Sequence, residues 1–413
     1  MKYLVIVYDG MADRSIPELG NKTPMQVAKT PVMDRLSPDA IVGTVSNVPN
    51  GMVPESDTAN LAILSYDPRV FSKGRSPLEA MSMRLEMSPE DTAYRTNLVT
   101  LSEESGIPYA ERTILDHSAD EISTEEADEL IRAVNEAFGT NEIRFHTGIS
   151  YRHCLLVKDG DDQIPFARPH DHLGSKIAEH LPSVPFFRTM MEKSYDLLQN
   201  HPINVKRRAD GKRPANSIWF WSPGKKPALP DFFEKWGLRA SVISAVDLIK
   251  GIGICAGMRS IDVPGATGNV HTNYKGKADA AISAFSEGDD FVYVHVEAPD
   301  ECGHRAELEN KILSIEKIDT MILGPVSDYL KSLGEPYRIM ILPDHPTPIS
   351  IRTHSMEPVP FMIYDSETKH IGVSSLSEES AAATGLYLPD GTELLSILIK
   401  STDPKEKEAT AHE

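Results

Sequence analysis

The sequence predicts an α/β fold: a mainly parallel sheet flanked by helices, carrying a smaller inserted α/β domain. Three observations predict it. Short apolar runs recur along the chain, helix-length stretches separate them, and between residues 77 and 208 the pattern changes. Buried strands that alternate with helices give a sheet covered on both faces. At 413 residues the chain also exceeds what one hydrophobic core ordinarily serves.

The first run, Tyr3–Tyr8, is β-branched and ends at Asp9-Gly10, as a buried strand opening into a loop does. A helical stretch follows over Thr23–Leu36. After Pro77 the smaller domain begins: Ala93–Leu101 alternates like a strand, and Ser123–Phe138 is amphipathic, with Ser123 and Glu126 spaced as a capping box. Ile143–Val157 reads as paired strands broken at Gly148. Pro182 and Pro185 interrupt the chain before a helix near Thr189–Asn200, and the basic, turn-rich His201–Pro214 suits a return hinge or a solvated connector. Ser217–Trp221, Phe291–Val296 and Arg338–Leu342 return to the larger sheet, with Val359–Tyr364 weaker. Lys275–Phe285 and Lys311–Leu333 are the helices between them. The expected division is 1–76 with 209–400, an insert over 77–208, and a charged tail over Ser401–Glu413.

Composition narrows the function classes. With 42 Lys+Arg against 61 Asp+Glu, the net charge is −19, which disfavours phosphate backbones as partners. Cys154, Cys255 and Cys302 are too far apart for a disulfide framework or a CxxC metal site, so a reduced compartment is expected. Asp9 ends the first apolar run before a signal peptide or membrane span develops. The expectation is a cytoplasmic protein without nucleic-acid or membrane partners.

In such sheets ligands collect at the carboxyl ends of strands. Three runs here end in Asp9-Gly10, Glu297-Ala298-Pro299-Asp300 and Pro343-Asp344-His345. Asp300 and His304 are four apart, so one helical turn puts both on one face. His354 follows His345 by nine residues. Singly, each is an ordinary feature: a helix salt bridge, a turn-forming Asp. Together they supply mixed oxygen and nitrogen donors for two divalent cations, suited to Mn2+, Zn2+ or Mg2+. Cys302 within this motif reads as a small filler.

Ser56 precedes a helical stretch, Asp57–Leu64, and is placed as its N-cap. A capping serine is the plain reading. The same place also offers a hydroxyl amid unpaired N–H groups at a positive dipole end, which favours an alkoxide or a bound phosphate.

At this point the motifs add up. Val5-Ile6-Val7-Tyr8-Asp9-Gly10, Leu19-Gly20-Asn21-Lys22-Thr23-Pro24, Ser56-Asp57-Thr58-Ala59-Asn60-Leu61 and Gly74-Arg75-Ser76-Pro77-Leu78-Glu79-Ala80 come first. Asp262-Val263-Pro264-Gly265-Ala266-Thr267-Gly268, His295–Glu301 with Gly303-His304, and Pro343-Asp344-His345 follow in order. The chain resembles the archaeal-type, cofactor-independent phosphoglycerate mutases of the alkaline phosphatase superfamily over nearly its whole length. The resemblance implies an alkaline-phosphatase-like sheet domain plus an insert. It implies one cation on Asp300, His304 and His354 and a second on Asp9, Asp344 and His345, with Mn2+ first and Mg2+ or Zn2+ as alternatives. Ser56 would touch the second and become a phosphoserine while 3-phosphoglycerate and 2-phosphoglycerate interconvert without 2,3-bisphosphoglycerate. The substrate is then a small phosphorylated metabolite, held by closure of the insert. Arg75, Arg152, His153, Lys250, Arg259 and Lys275 are the candidate anion contacts. One position departs from the pattern: Glu55 stands where the family usually has Gly. Gly148–Leu156 with Pro169–Gly174 is similar to a homoserine-kinase-like branch, which makes ATP-dependent phosphorylation of homoserine the rival activity. A phosphatase and a non-catalytic metal-binding protein are further alternatives. His170 and His172 read as ordinary loop histidines.

Overall fold

The computed structural model describes residues 1–400; the expected tail, Ser401–Glu413, lies outside the described residues. The described residues divide into two compact units, 1–72 with 228–400, and Lys73–Pro227.

The larger unit is organised on an eight-stranded sheet among the described residues. Its strands are β1 (Lys2–Tyr8), β2 (Ile41–Val45), β8 (Ala240–Ile243), β9 (Arg259–Ile261), β10 (Phe291–Val296), β11 (Tyr337–Leu342), β12 (Val359–Asp365) and β13 (Tyr387–Leu388). Their spatial order is β13-β2-β12-β11-β1-β10-β8-β9. From β9 to β11 every neighbouring pair is parallel; only β12 runs against its two neighbours. Apolar runs buried on both faces explain this choice, since parallel strands need helices above and below. Val292, Val294 and Val296 of β10 join Leu4 and Ile6 of β1 and Ile339 and Ile341 of β11 in one core. Helices Tyr274–Ser286, Leu308–Ile318 and Gly324–Ser332 close that face with Ala278, Ala281, Phe285, Ile315, Val326 and Leu330. Each valine, leucine, isoleucine or phenylalanine among them contributes about 1.5–3 kcal/mol on removal from water.

Two long helical stretches are interrupted. Thr23–Leu36 divides into Pro24–Val27 and Pro31–Leu36, because Pro31 has no N–H to continue the first helix. Lys311–Leu333 contains a π-turn over Asp319–Leu323 just ahead of Pro325. That turn carries Asp319, whose carboxylate accepts from the backbone N–H groups of Val32 and Met33 at 3.0 and 2.8 Å.

The smaller unit holds a second, antiparallel sheet of β3 (Thr92–Leu101), β4 (Ile114–Asp116), β5 (Ile143–His146), β6 (Arg152–Val157) and β7 (Ser217–Lys225). Here the expectations need correction. Ser217–Trp221 does not join the larger sheet as its apolar run suggests: β7 pairs along β3 from Val99↔Ser217 to Thr92↔Lys225. Trp219 and Phe220 are buried in the smaller unit's core, so this unit runs past Arg208 to Pro227. His201–Pro214 is not a hinge. It contains the helix Pro202–Ala209, whose Arg207 is 2% exposed and donates to the carbonyl of Arg213 at 2.9 Å. Arg207 also takes the Glu126 carboxylate. That pairing explains why the Thr124–Phe138 helix has half a capping box. Ser123 accepts from the Glu126 N–H at 3.3 Å, while the Glu126 side chain is engaged elsewhere.

Candidate metal centre and active site

The central strands β10, β1 and β11 lie side by side and end together, which brings Asp9, Asp300, Asp344 and His345 into one place. Close approach of backbones makes this possible. Gly10 sits at φ +64°, and a Cβ there would lie 2.6 Å from the Asp300 Cα and from Thr347 Oγ1. A Cβ on Gly303 would lie 2.5 Å from the Thr347 carbonyl oxygen. The loop after β1, the helix Ala298–Arg305 and the loop after β11 therefore meet through two glycines.

Asp300, His304 and His354 form the first donor group. Asp300 and His304 stand one turn apart on the Ala298–Arg305 helix, as their spacing requires. His304 Nε2 is 3.2 Å from Asp300 Oδ2, His354 Nε2 is 3.3 Å from Asp300 Oδ1, and the two Nε2 atoms are 2.9 Å apart. Two donors on one ion with bonds of about 2.1 Å stand roughly 3.0–3.4 Å apart, so the spacing suits a shared cation. The other ring nitrogens decide the tautomers. His304 Nδ1–H donates to the Arg352 carbonyl at 3.0 Å, and His354 Nδ1–H donates to the Pro54 carbonyl at 2.6 Å. Each Nε2 is therefore turned toward Asp300, with Nδ1 held from behind as in the usual outer support of ligating histidines.

Around Asp9 the donors are deeper. Asp9, Asp344 and His345 are each about 1% exposed. His345 Nε2 lies 3.6 Å from Asp9 Oδ1, 3.6 Å from Asp344 Oδ2 and 3.1 Å from the Ser56 hydroxyl. Asp344 Oδ1 accepts from the N–H groups of Gly10 at 3.2 Å and His345 at 2.9 Å, which fixes its rotamer. Asp9 Oδ1 has no hydrogen-bond partner although it is buried. An orphaned carboxylate oxygen among imidazole nitrogens fits a divalent cation with mixed O/N ligation.

These buried charges shift one another strongly. Burial, with Asp344 and Asp300 nearby, pushes the Asp9 carboxyl well above its ordinary range. Burial also opposes ionisation of Asp300, but contacts with His304 and His354 outweigh it and hold that carboxyl well below the usual value. His304 is raised to about 9 by its Asp300 contact, and burial lowers His345.

Ser56 is the first residue of the helix Ser56–Ile63, and Glu55 occupies the cap with an extended backbone. The capping expectation for Ser56 is thus corrected: its hydroxyl turns to His345 instead of to its own helix. Asn60, one turn on and fully buried, secures this placement. Its Nδ2 donates to the Ser56 carbonyl at 2.8 Å and to Asp344 Oδ2 at 2.9 Å, while Oδ1 accepts from Tyr293 Oη at 2.5 Å.

A protein of Geobacter sulfurreducens described as a probable 2,3-bisphosphoglycerate-independent phosphoglycerate mutase is 45% identical over 403 residues, spanning 97% of this chain and all of that one. The chain belongs to this mutase family. The Methanosarcina barkeri 2,3-bisphosphoglycerate-independent phosphoglycerate mutase is likewise 45% identical, over 97% of this chain and all of its own. The family's profile matches residues 38–204. Among solved structures, a Pyrococcus horikoshii protein aligns with a TM-score of 0.81 at 29% identity, covering 97% of this chain and 96% of its own. The cofactor-independent phosphoglycerate mutase of Thermoplasma acidophilum gives 0.68 at 28%, covering 97% and 99%. None of these relatives carries a homoserine kinase name.

The larger unit's candidate anion contacts are engaged by carboxylates. Arg259 opens β9, at the sheet end opposite the donor groups, where it binds Glu287 and, at 2.9 Å, Asp289. Lys250 is engaged by Asp262 at 2.8 Å and Lys275 by Asp279 at 2.6 Å. His153 is a core residue of the smaller unit: it is 3% exposed, and its Nδ1 accepts from the Gly148 N–H at 3.2 Å. Arg75 caps the Ser76–Ser82 helix and Arg152 begins β6 with its side chain exposed. His172 stacks on His180 with centroids 3.7 Å apart, and neither joins a donor group among the described residues. Cys302 is buried and free, as a filler should be.

One residue escaped the sequence reading. His295, in β10, groups with Asp9 and Asp344. Its signal was a lone imidazole inside the otherwise apolar Phe291–Val296, five residues before Asp300.

Proposed function

We propose that this chain interconverts 3-phosphoglycerate and 2-phosphoglycerate by passing the phosphoryl group through Ser56, with two divalent cations, Mn2+ first, at the two donor groups. The observation that carries this reading is the Ser56 hydroxyl 3.1 Å from His345 Nε2, beside the unpartnered Asp9 Oδ1. Family membership supports the substrate pair. In this reading Asp300, His304 and His354 hold one cation, and Asp9, Asp344 and His345, with Ser56 beside them, hold the other. When bound, the cations neutralise phosphate charge and lower the hydroxyl's pKa.

The remaining work falls to the chain itself. Asn60 and the Ser56–Ile63 helix hold the serine oxygen at the donor cluster, and the helix N–H groups favour the anion formed there. The Ser56 Oγ–P bond forms as the bond from phosphorus to the C3 oxygen breaks, and that oxygen takes a proton. The 2-hydroxyl of the retained glycerate then loses its proton, attacks phosphorus and frees Ser56. Arg75 and Arg152 stay in the proposal as anion contacts on their chemistry alone. A cytoplasmic location belongs to the same reading; no helix among the described residues is long and apolar enough to cross a membrane.

The test is conversion of 3-phosphoglycerate by the Mn2+-loaded protein without 2,3-bisphosphoglycerate. Ser56→Ala is expected to abolish it while metal content stays near that of the parent. Near-normal turnover in that variant refutes the phosphoserine route.

A further inference from the structure

His295 is not part of the ligand set that the family resemblance implies, yet it is aimed into it. It is fully buried, and its ring lies on the same face of β10 as Tyr293, opposite the core valines. Strand alternation therefore points Tyr293 and His295 together toward Asn60 and the Asp9–Asp344 pair. Register places His295 beside Val7, two residues before Asp9 on the neighbouring strand. The ring is held from behind: Nδ1 lies 3.3 Å from Ser244 Oγ, which accepts from the Val246 N–H at 2.9 Å. The His295 carbonyl accepts from Lys277 Nζ at 2.7 Å.

The forward nitrogen is the telling atom. His295 Nε2 lies 3.1 Å from Asp9 Oδ2 but makes no hydrogen bond, so donor and acceptor are close without being aligned. Atoms that approach to this distance while pointing past each other have the relation of two ligands on one centre. The donor atoms of the first group stand at similar spacings, 2.9 to 3.3 Å. A buried ring nitrogen left without a partner is costly unless something else satisfies it.

We infer that His295 is an additional nitrogen ligand to the cation held by Asp9 and Asp344, entering from the β10 side. The inference rests on the proposed second cation and adds a donor to it. Asp9 then uses both oxygens, Oδ1 toward His345 and Oδ2 toward His295. An imidazole there favours Zn2+, Co2+ or Mn2+ over Mg2+.

The full-length protein, stripped by chelator and reloaded with Co2+ alone, provides the test. In the saturated parent, cobalt-shifted exchangeable imidazole N–H resonances count the ligated histidines. Four are expected, from His295, His304, His345 and His354. Three such signals with two cobalt ions bound overturn this inference alone. No shifted imidazole at all overturns the two-cation reading and this inference with it. His295→Asn provides the second measurement, because it keeps a polar side chain in the same place but lacks an imidazole lone pair. One shifted signal should vanish and the affinity of one cobalt site should fall by at least about ten-fold, the scale that even outer partners of a ligand carry. The site weakened by His304→Ala should be unaffected. Unchanged affinities in a folded His295→Asn protein overturn the assignment; if that variant misfolds, the signal count in the parent decides.

Discussion

Replacing Asn60 with alanine tests whether the serine and the second donor group are one mechanical unit. The side chain is fully buried and serves three partners: the Ser56 carbonyl, the Asp344 carboxylate and the Tyr293 hydroxyl. A hydrogen bond to a charged group is worth about 1.5–3 kcal/mol, a neutral one about 1, and a stranded buried hydroxyl costs about 1–3. The sum is about 3.5–7 kcal/mol, roughly two and a half to five decades in the folded-to-unfolded ratio. Urea denaturation of the chelator-treated protein, followed by Trp236 fluorescence in the larger unit, measures it without the linkage that bound metal adds. The double variant Asn60→Ala/Tyr293→Phe sharpens the test. Removing the stranded hydroxyl should recover about 1–2 kcal/mol, so the two changes are not additive. Loss of less than about 1 kcal/mol in Asn60→Ala, or strict additivity in the double variant, refutes the reasoning.

Two more expectations follow from buried charge. Lys311 is fully buried, with Nζ 2.8 Å from both Asp13 Oδ2 and the Thr347 carbonyl. Lys311→Met strands the Asp13 carboxylate and should cost about 3–5 kcal/mol in the same denaturation assay, and a cost below about 1 kcal/mol contradicts the pairing. In the smaller unit, burial lowers His153 to about 3 from a value near 6.5 when unfolded. Its folded pKa is depressed, so the neutral ring stabilises the fold above about 6.5 and that stability is lost as pH falls toward 3. Between pH 7 and pH 5 the loss is about 2 kcal/mol. His153→Gln should flatten that slope in paired denaturation curves; parallel slopes in parent and variant rule it out.

Much of the donor cluster was legible because its chemistry sits where apolar runs stop. Asp9, Asp300, Asp344 and His345 are marked by abrupt polarity after β1, β10 and β11, and helical spacing ties His304 to Asp300. His295 was hidden for the converse reason: it lies inside a run, where an imidazole reads as core, and only register beside β1 reveals its neighbour. The short strands β2, β8 and β9 have three to five residues each, too few for a periodic signal. Ser217–Trp221 was visible as a strand, but an apolar run does not say which sheet it joins; β3 does. Arg259, Lys250 and Lys275 show the weakness of reading basic residues as anion sites. Each has a nearby carboxylate: the fold displays those of Arg259 and Lys250, and the i,i+4 spacing on one helix gives Asp279 to Lys275.

The placement of the buried cationic side chains argues for the metal reading more strongly than the carboxylates do. Asp9, Asp300 and Asp344 are each no more than 5% exposed, a concentration of negative charge that a fold ordinarily relieves with lysine or arginine. Two buried lysines lie close by and were not used for that purpose. Lys277 spends its ammonium on the His295 carbonyl, at a pKa lowered by burial to about 7. Lys311 spends its own on Asp13 and the Thr347 carbonyl, and Thr347 in turn donates to Asp300. Both lysines thus brace the backbone behind the donors and leave the donor oxygens facing inward. Had either ammonium reached Asp9, the cluster would be neutralised and closed to a cation. Because neither ammonium bonds Asp9, Asp300 or Asp344, the proposed cations would supply the compensation, and a cation can also engage a phosphate, which a lysine locked in an internal pair cannot.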